Sequence, residues 1–372
     1  MDGMLKGWLV YNMTGSAADL GLITLAAGIP LVLMSFFGGV IADRVDKQKL
    51  LLVTQVMAGL IALTTSILLS TKLIQFWHFI ILAILQGATF AFIAPLRQSI
   101  VPRLVRPEHL VSAISLTSTS FNFMGIAGPA AVGLLLTFML PEQVYYIIVA
   151  FFAVGVGVLS FMKVPRNTVE PGKAFYLELV EGFQFIGSNR RILLLLVVAL
   201  VLSFFCAPYI YMMPALAIGT LKLDQKGLGF LLAAAGVGAL IGSLATGSLA
   251  SIKNRGILML VLIFIFGCGV ALTAQFQSFP VAMLLILCAC ISGAANATLN
   301  NSLLLMSTPS VLHGRVISIF TMTAALTPIG AFPMGALADF IGIPSTFLIA
   351  GSIAILFAII LWLFAPALRR MQ

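Results

Sequence analysis

The sequence predicts an all-α polytopic membrane protein, and three observations carry that prediction. Apolar residues fill 61% of the 372 positions and charged residues only 8%, against roughly 25% charge in a soluble domain. The apolar residues fall in long continuous runs, many of them near the ~20 residues that a helix needs to cross a bilayer core. Short polar breaks separate the runs, and basic residues collect in alternate breaks. A transmembrane barrel would show alternating segments of about ten residues, and these runs are too long for that.

The first element is short. Met1 to Asn12 contains the string Trp8-Leu9-Val10-Tyr11 and ends at the polar break Asn12-Met13-Thr14-Gly15-Ser16. Twelve helical residues rise only about 18 Å, short of the ~30 Å hydrocarbon core. The expectation is a first helix cut in half, by a misplaced start or a truncated gene. Eleven full spans follow, at 17–42, 49–71, 76–98, 109–139, 143–163, 191–218, 227–251, 256–275, 279–306, 315–339 and 343–365. With the partial helix, the intact architecture is twelve. Breaks at Pro141-Glu142, Gln277-Ser278-Phe279-Pro280 and Gly342-Ile343-Pro344 punctuate the later runs.

The longest polar stretch divides the chain into an N-terminal half (1–163), a linker (164–190) and a C-terminal half (191–372). Phe175, Leu179, Phe183 and Ile186 recur there at helical spacing, with Glu178 and Glu181 turned elsewhere. An amphipathic helix at the membrane surface and a helix packed on the bundle both satisfy that pattern.

Placing the loop at 43–49 in the cytoplasm and alternating sides gives sixteen Lys and Arg inside. Lys72, Lys222 and Lys226 fall outside, and Lys6 is unassigned. That asymmetry puts the C-terminus in the cytoplasm and the chain in a plasma membrane as a multi-pass protein. It also accounts for the net charge of +9 without a nucleic-acid partner. Cys206, Cys268, Cys288 and Cys290 all lie in apolar runs, as small core residues. His78, His109 and His313 stand alone, which argues against a metal site and a membrane-embedded enzyme. No nucleotide-binding loop is present, so ATP is not the expected energy source. A monomer is expected.

The stretch Phe36 to Lys49 ends an apolar run in five charges within seven residues. It resembles the G-x-x-x-D-R-x-x-[RK]-[RK] loop between helices 2 and 3 of the major facilitator superfamily. Two further stretches resemble the enterobactin-exporter and macrolide-efflux branch: Trp8 to Ser16, and the loop from Arg97 through Pro102 to Glu108-His109-Leu110. Gly125-Ile126-Ala127-Gly128-Pro129-Ala130-Ala131-Val132-Gly133 is similar to the glycine–proline motif on helix 5 of antiporters, with GP-x-x-x-G in place of GP-x-x-G-G. The halves echo one another weakly: Gly247 to Arg255 stands where the opening loop stood, with Ser251 in the place of Asp43. The resemblance implies a major facilitator fold of two six-helix halves that alternates access to a midplane site. It implies a gate at Gly39, Asp43, Arg44 and Lys47, and a half-to-half interface at Gly125, Gly128, Pro129 and Gly133. It implies a proton gradient as driving force, with no bound cofactor.

Asp2 and Lys6 are four apart and can pair on one helix face. In a whole first helix they would lie near the midplane, where charges are costly and usually functional; at a chain end they would fray. The resemblance makes them part of the substrate or proton path. Gln86-Gly87 keeps a pair found on helix 4 of drug exporters, but Ala83 stands where those carry arginine. Asp19 and Asp339 belong to outer helix ends, so the other path candidates are neutral: Gln86, Asn122, Asn296 and Asn300, then Asn301 and Gln275. Phe90, Phe121, Tyr209 and Tyr211 could line an apolar pocket. Such a cavity suits a small lipophilic substrate, a hydrophobic drug or a siderophore-like metabolite, exported by proton-coupled alternating access. A lipid or lysophospholipid flippase of the same fold and an inactive remnant are the alternatives.

Overall fold

The computed structural model describes residues 1–44, 46–106, 109–162, 185–248, 254–309 and 312–369. Within these, the side chains of 35–44, 94–95, 97–99, 102–103, 110–111, 114–115, 118–119, 121–122, 247–248, 314–315, 318 and 367 are outside the description. Helices α1 (Asp2–Thr14), α2 (Ala17–Arg44), α3 (Lys47–Ser70), α4 (Phe76–Leu104), α5 (Leu110–Leu135) and α6 (Pro141–Phe161) form the first set. The second set is α7 (Arg190–Thr220), α8 (Gln225–Ser248), α9 (Arg255–Thr273), α10 (Phe279–Ser307), α11 (His313–Ala324 and Leu326–Ile341) and α12 (Ile343–Phe364). A turn of helix, Pro366–Arg369, closes the described chain.

Ten of these helices are long and apolar enough to cross a membrane. Helix α5 has 26 residues, of which Phe123–Leu135 is the described apolar part, and α1 has 13. The expectation of eleven full spans therefore stands at ten among the described residues. Helix α4 runs past the expected end at 98 to Leu104. A helix does not have to stop where the hydrocarbon stops, and here it continues until Val105 turns to extended geometry at φ −122°, ψ 154°. The linker pattern from Phe175 to Phe183 lies outside the described residues.

The packing repeats with a shift of six helices. Helix α2 packs on α4 as α8 packs on α10, α3 on α6 as α9 on α12, and α3 on α4 as α9 on α10. The halves meet through α2 on α11 and α5 on α8, which the same shift interchanges. This is the internal two-fold relation expected of transporters built from repeats. Helix α1 sits at the middle, against α2, α4, α5, α6 and α7.

Lipid offers no hydrophobic drive for helix association, so close backbone approach through small residues holds such bundles together. A methyl group on Gly87 of α4 would collide with the Ala27 carbonyl of α2. At the equivalent seam of the other half, one on Gly242 of α8 would collide with the Ile291 carbonyl of α10. Large apolar side chains such as Phe138, Phe161, Leu244 and Phe364 are turned outward, toward the acyl chains. Thr65, Thr89, Thr246 and Thr273 return their hydroxyls to carbonyls one turn back, which satisfies polar groups that lipid cannot. Replacing Gly87 with alanine should separate α2 from α4 and cost about 1–3 kcal/mol through overpacking. The measurement is thermal melting of the purified chain; an unchanged melt would show that this seam has room to spare.

Candidate functional site

Among the described residues, the alternation of helix direction places Lys47, Lys49, Arg106, Arg190, Arg191, Arg255 and Arg369 at one end of the bundle, called here the base-rich end. Lys72, Lys222 and Lys226 lie at the other, base-poor end. At the base-poor end the two halves are in contact. A methyl group on Gly133 of α5 would lie 2.8 Å from the Gly229 Cα of α8, and one on Gly335 of α11 would strike the Ala17 carbonyl of α2. Further along the same seam, a methyl group on Gly28 would reach Pro328 at 2.6 Å.

A polar clasp caps that seam. Asp339, on α11, accepts hydrogen bonds from the Ser16 hydroxyl at 2.5 Å and from the Ala17 and Ala18 amides at 2.7 and 3.0 Å. Those amides open α2, where backbone N–H groups have no partner within the helix and the dipole favours an anion. One half thus caps a helix of the other. The Ser16 hydroxyl also accepts from the Asp19 amide at 3.1 Å, completing the local cap.

The second feature is a buried polar cluster on α1. Lys6 and Asp2 pair at 3.4 Å, one turn apart. The Lys6 ammonium donates to Gln86 Oε1, and Gln86 Nε2 donates to Asp2 Oδ2 at 2.5 Å. Gln86 therefore bridges both members of the pair from α4, a ring of three in which each charge has a partner. Tyr145, fully buried on α6, places its hydroxyl within the electrostatic reach of Asp2 but outside hydrogen-bond geometry.

The third feature is a cavity of about 730 Å³ bounded by α5, α7, α8, α9, α10 and α11. Among its described lining residues there is no Asp, Glu, Lys, Arg or His. Its polar wall consists of Ser203, Tyr209, Asn296, Asn300 and the threonines of α11. Helix α7 departs from α geometry along this wall, with a π turn at Leu202–Cys206, a 3-10 stretch at Ala207–Met212 and a second π turn at Leu216–Thr220. Irregular backbone at membrane depth survives only where it lines a cavity or is buried in protein, and π turns cluster at functional sites. Tyr209 stands at the break, its hydroxyl 3.0 Å from Cys290 Sγ and its ring edge-on to Phe266 and Phe347.

Helix α5 forms the partition between the cluster and the cavity. Gly125 and Pro129 line the cavity, Gly128 faces Met1 at the start of α1, and Gly133 lies in the seam with Gly229. The residues expected to share a path thus divide into two groups. Asp2, Lys6 and Gln86 belong to the α1 cluster, while Asn296, Asn300 and Tyr209 belong to the cavity. Gln275 lies at the end of α9 instead, donating to the Ala271 and Pro344 carbonyls at 3.3 and 2.8 Å. Phe90 is exposed and, like Tyr211, is not on the cavity wall. The Asn122 and Phe121 side chains, and those of Gly39, Asp43 and Arg44, fall outside the description. Lys47 is buried at the start of α3 beside Asp46, whose carboxylate caps that helix through the Gln48 and Lys49 amides at 3.0 and 3.3 Å.

Two repeats of helices that pack alike are the architecture of a membrane transporter of the major facilitator fold rather than an enzyme. The chain belongs to the family described as transmembrane secretion effector, which matches residues 1–372. It is 24% identical to the multidrug efflux pump Tap of Mycolicibacterium fortuitum over 382 residues, covering 98% of this chain and 91% of the pump. The staphyloferrin A transporter of Staphylococcus aureus is 25% identical over 92% of this chain and 87% of its own length. The enterobactin exporter EntS of Citrobacter koseri is 26% identical over 98% and 87%. Among solved structures, a mutant form of the nucleoside transporter NupG superposes with a TM-score of 0.81 at 12% identity, covering 97% of this chain and 94% of that one. The D-xylose–proton symporter superposes at 0.69 and 15% identity over 100% and 97%. Both are alike in fold.

Weakening the Asp339 clasp should loosen the base-poor end. Asp339→Asn removes the charge from three hydrogen bonds at an exposed helix end, an expected cost of about 1–2 kcal/mol. With spin labels at the exposed positions Met13 and Phe340, pulsed electron resonance should record a larger share of long distances in the variant. Identical distance distributions would show that the seam holds without the clasp.

Proposed function

We propose that the chain exports a small lipophilic compound, a drug or a siderophore-like metabolite, in exchange for protons across a bacterial inner membrane. The observation that carries this reading is the uncharged cavity, walled by helices of the C-terminal half and by α5, beside a seam that is closed at the base-poor end. The base-rich end is cytoplasmic on the distribution of Lys and Arg, so the described form is closed to the outside. The names of the similar pumps and exporters support efflux as the direction. In this reading the halves rock about the cavity as one rigid body against another, and the protein works as a monomer.

The coupling site is the α1 cluster. Protonation of Asp2 would cancel its attraction for Lys6 and for the Gln86 amide, freeing α1 from α4. Helix α5, which meets Met1 at the start of α1 through Gly128 and lines the cavity at Pro129, is the mechanical link between proton and cargo. The loop residues Gly39, Asp43, Arg44 and Lys47 act at the cytoplasmic gate, as their resemblance to the superfamily motif implies.

Inverted membrane vesicles carrying a pH-sensitive dye test this with a panel of lipophilic drugs and siderophores. The full chain should release protons when a substrate is added, and Asp2→Asn paired with Lys6→Gln should reduce that release at least about ten-fold, the loss of one pKa-scale interaction. Asp43→Asn should reduce transport with membrane insertion intact. Vesicles that contain the protein and stay silent with every compound would rule out proton-coupled efflux and favour lipid flipping by the same fold.

A further inference from the structure

Much of the polar chemistry on the cavity wall is already spent. Asn300 Nδ2 donates to the Leu195 carbonyl of α7 at 3.0 Å, and the Thr323 hydroxyl donates to the Phe320 carbonyl at 2.7 Å. The Tyr209 hydroxyl is shared with Cys290 Sγ. Three groups that keep accessible surface have no partner: the Ser203 hydroxyl, the Thr327 hydroxyl and the Asn296 amide nitrogen. Their residues line the cavity from α7, α11 and α10. Unspent hydroxyls need a reason in a bundle where Thr65 and Thr273 return theirs to carbonyls one turn back. Ser203 lies in the first π turn of α7, and Thr327 in the first turn of the second segment of α11. Asn296 shows its orientation by what it hides: Oδ1 is enclosed without a partner, while Nδ2 stays open. Turning the amide over would enclose two N–H donors, and an orphaned N–H is rarer in proteins than an under-satisfied carbonyl.

We propose that the cavity presents a wall of hydrogen-bond donors, with Asn296, Ser203 and Thr327 as its specificity-determining residues. It selects an uncharged lipophilic ligand that carries carbonyl or ether oxygens and few donors of its own, such as a lactone, an ester or a ketone. The amide nitrogen can only donate, and each hydroxyl has one proton to give. The side-chain oxygens that can only accept, Oδ1 of Asn296 and of Asn300, are enclosed. A ligand rich in O–H or N–H groups would therefore leave water for a wall with few acceptors. The described lining holds no charged side chain, so a cation or an anion would be desolvated without a counter-charge. A plain hydrocarbon would fit the walls, strip water from three polar groups and return nothing to them.

This inference rests on the transport reading of the same cavity and is tested by binding without any gradient, so the two can fail separately. The probes are cyclopentadecanolide, a macrocyclic lactone with two acceptor oxygens and no donor, and cyclohexadecane, the hydrocarbon ring of the same size. Equilibrium dialysis against the full chain in lipid nanodiscs, corrected for partition into empty nanodiscs, should give roughly ten-fold tighter binding of the lactone. That preference is worth about 1.4 kcal/mol. Asn296→Leu should bring the two probes within about two-fold of each other. Ser203→Ala paired with Thr327→Val should lower the preference in the same sense. None of the three side chains gives up a protein hydrogen bond through these open groups, and a cooperative melt verifies that each variant is folded. Equal binding of the two probes by the unmodified chain overturns the proposal. So does a preference that survives in both variants, and so does failure of a cooperatively melting chain to bind the lactone. Lactone selectivity without proton release in vesicles would keep the donor wall and reject the coupling.

Discussion

The bundle depends on close backbone contact between helices that have no hydrophobic reason to associate. In water, burying Leu and Phe would hold such helices together; in lipid the acyl chains solvate them equally well. The chain accordingly turns many of its large apolar side chains outward and uses small residues for its seams. Gly87 against Ala27 and Gly242 against Ile291 join helices within each half, and Gly133 against Gly229 joins the halves. These are different kinds of joint. Within a half, several helices lock the seam from other sides. Between halves, the described seams set Gly133 on Gly229, Gly335 on Ala17 and Gly28 on Pro328.

The polar groups follow the same logic. Asp339 satisfies the start of α2 from the opposite half, so the cap exists only when that end is shut. Its contribution is modest because it faces water, which can replace it when the ends separate. Helix α7 meets a different constraint. Its π and 3-10 turns lie at membrane depth, where irregular backbone needs protein around it. Asn300 donates to the Leu195 carbonyl in the regular part of α7, and the Cys206 thiol in the first π turn donates to the Ala350 carbonyl of α12 at 3.5 Å. The irregular stretch is tolerable because it lies against a cavity and against α11 and α12.

Hydropathy and the alternation of basic breaks made α2 to α12 legible, with ends within a few residues except where a helix outruns the membrane, as α4 does. Spacing made the Asp2–Lys6 pair legible, since four residues is one helical turn, and the absence of other mid-span charges marked Asn296 and Asn300. What spacing cannot give is which helix lies opposite. Tyr145 reads as one of two adjacent tyrosines near the start of α6, and nothing in the string links it to Asp2. Asp339 reads as a charge at a helix end, with no sign that its partner is 322 residues away. Gln275 was the converse case: polar in an apolar setting, it reads as a cavity residue, but it stitches the ends of α9 and α12. Asp46 sits inside a charged loop where any carboxylate looks solvated, and its role as a helix cap depends on where α3 begins.

The α1 cluster is hard to explain as a device for stability. A buried ion pair recovers roughly what its desolvation costs, and apolar residues of similar size often serve a fold better. Removing a single partner, however, costs about 3–5 kcal/mol because the other charge is left uncompensated. Asp2, Lys6 and Gln86 are therefore a poor glue and, on the proposed coupling, a sensitive switch, for a proton on Asp2 would remove one partner's charge. The cost of that event would fall on Lys6 and on the Gln86 amide, which would need new partners or water. On that coupling α1 would shift relative to α4, and α5 lies against α1 and lines the cavity. A group whose charge state is worth several kcal/mol, placed one helix away from an uncharged cavity, can bias the halves without touching the cargo. On the proposed coupling, that separation would let an uncharged site be driven by a gradient it has no means of sensing.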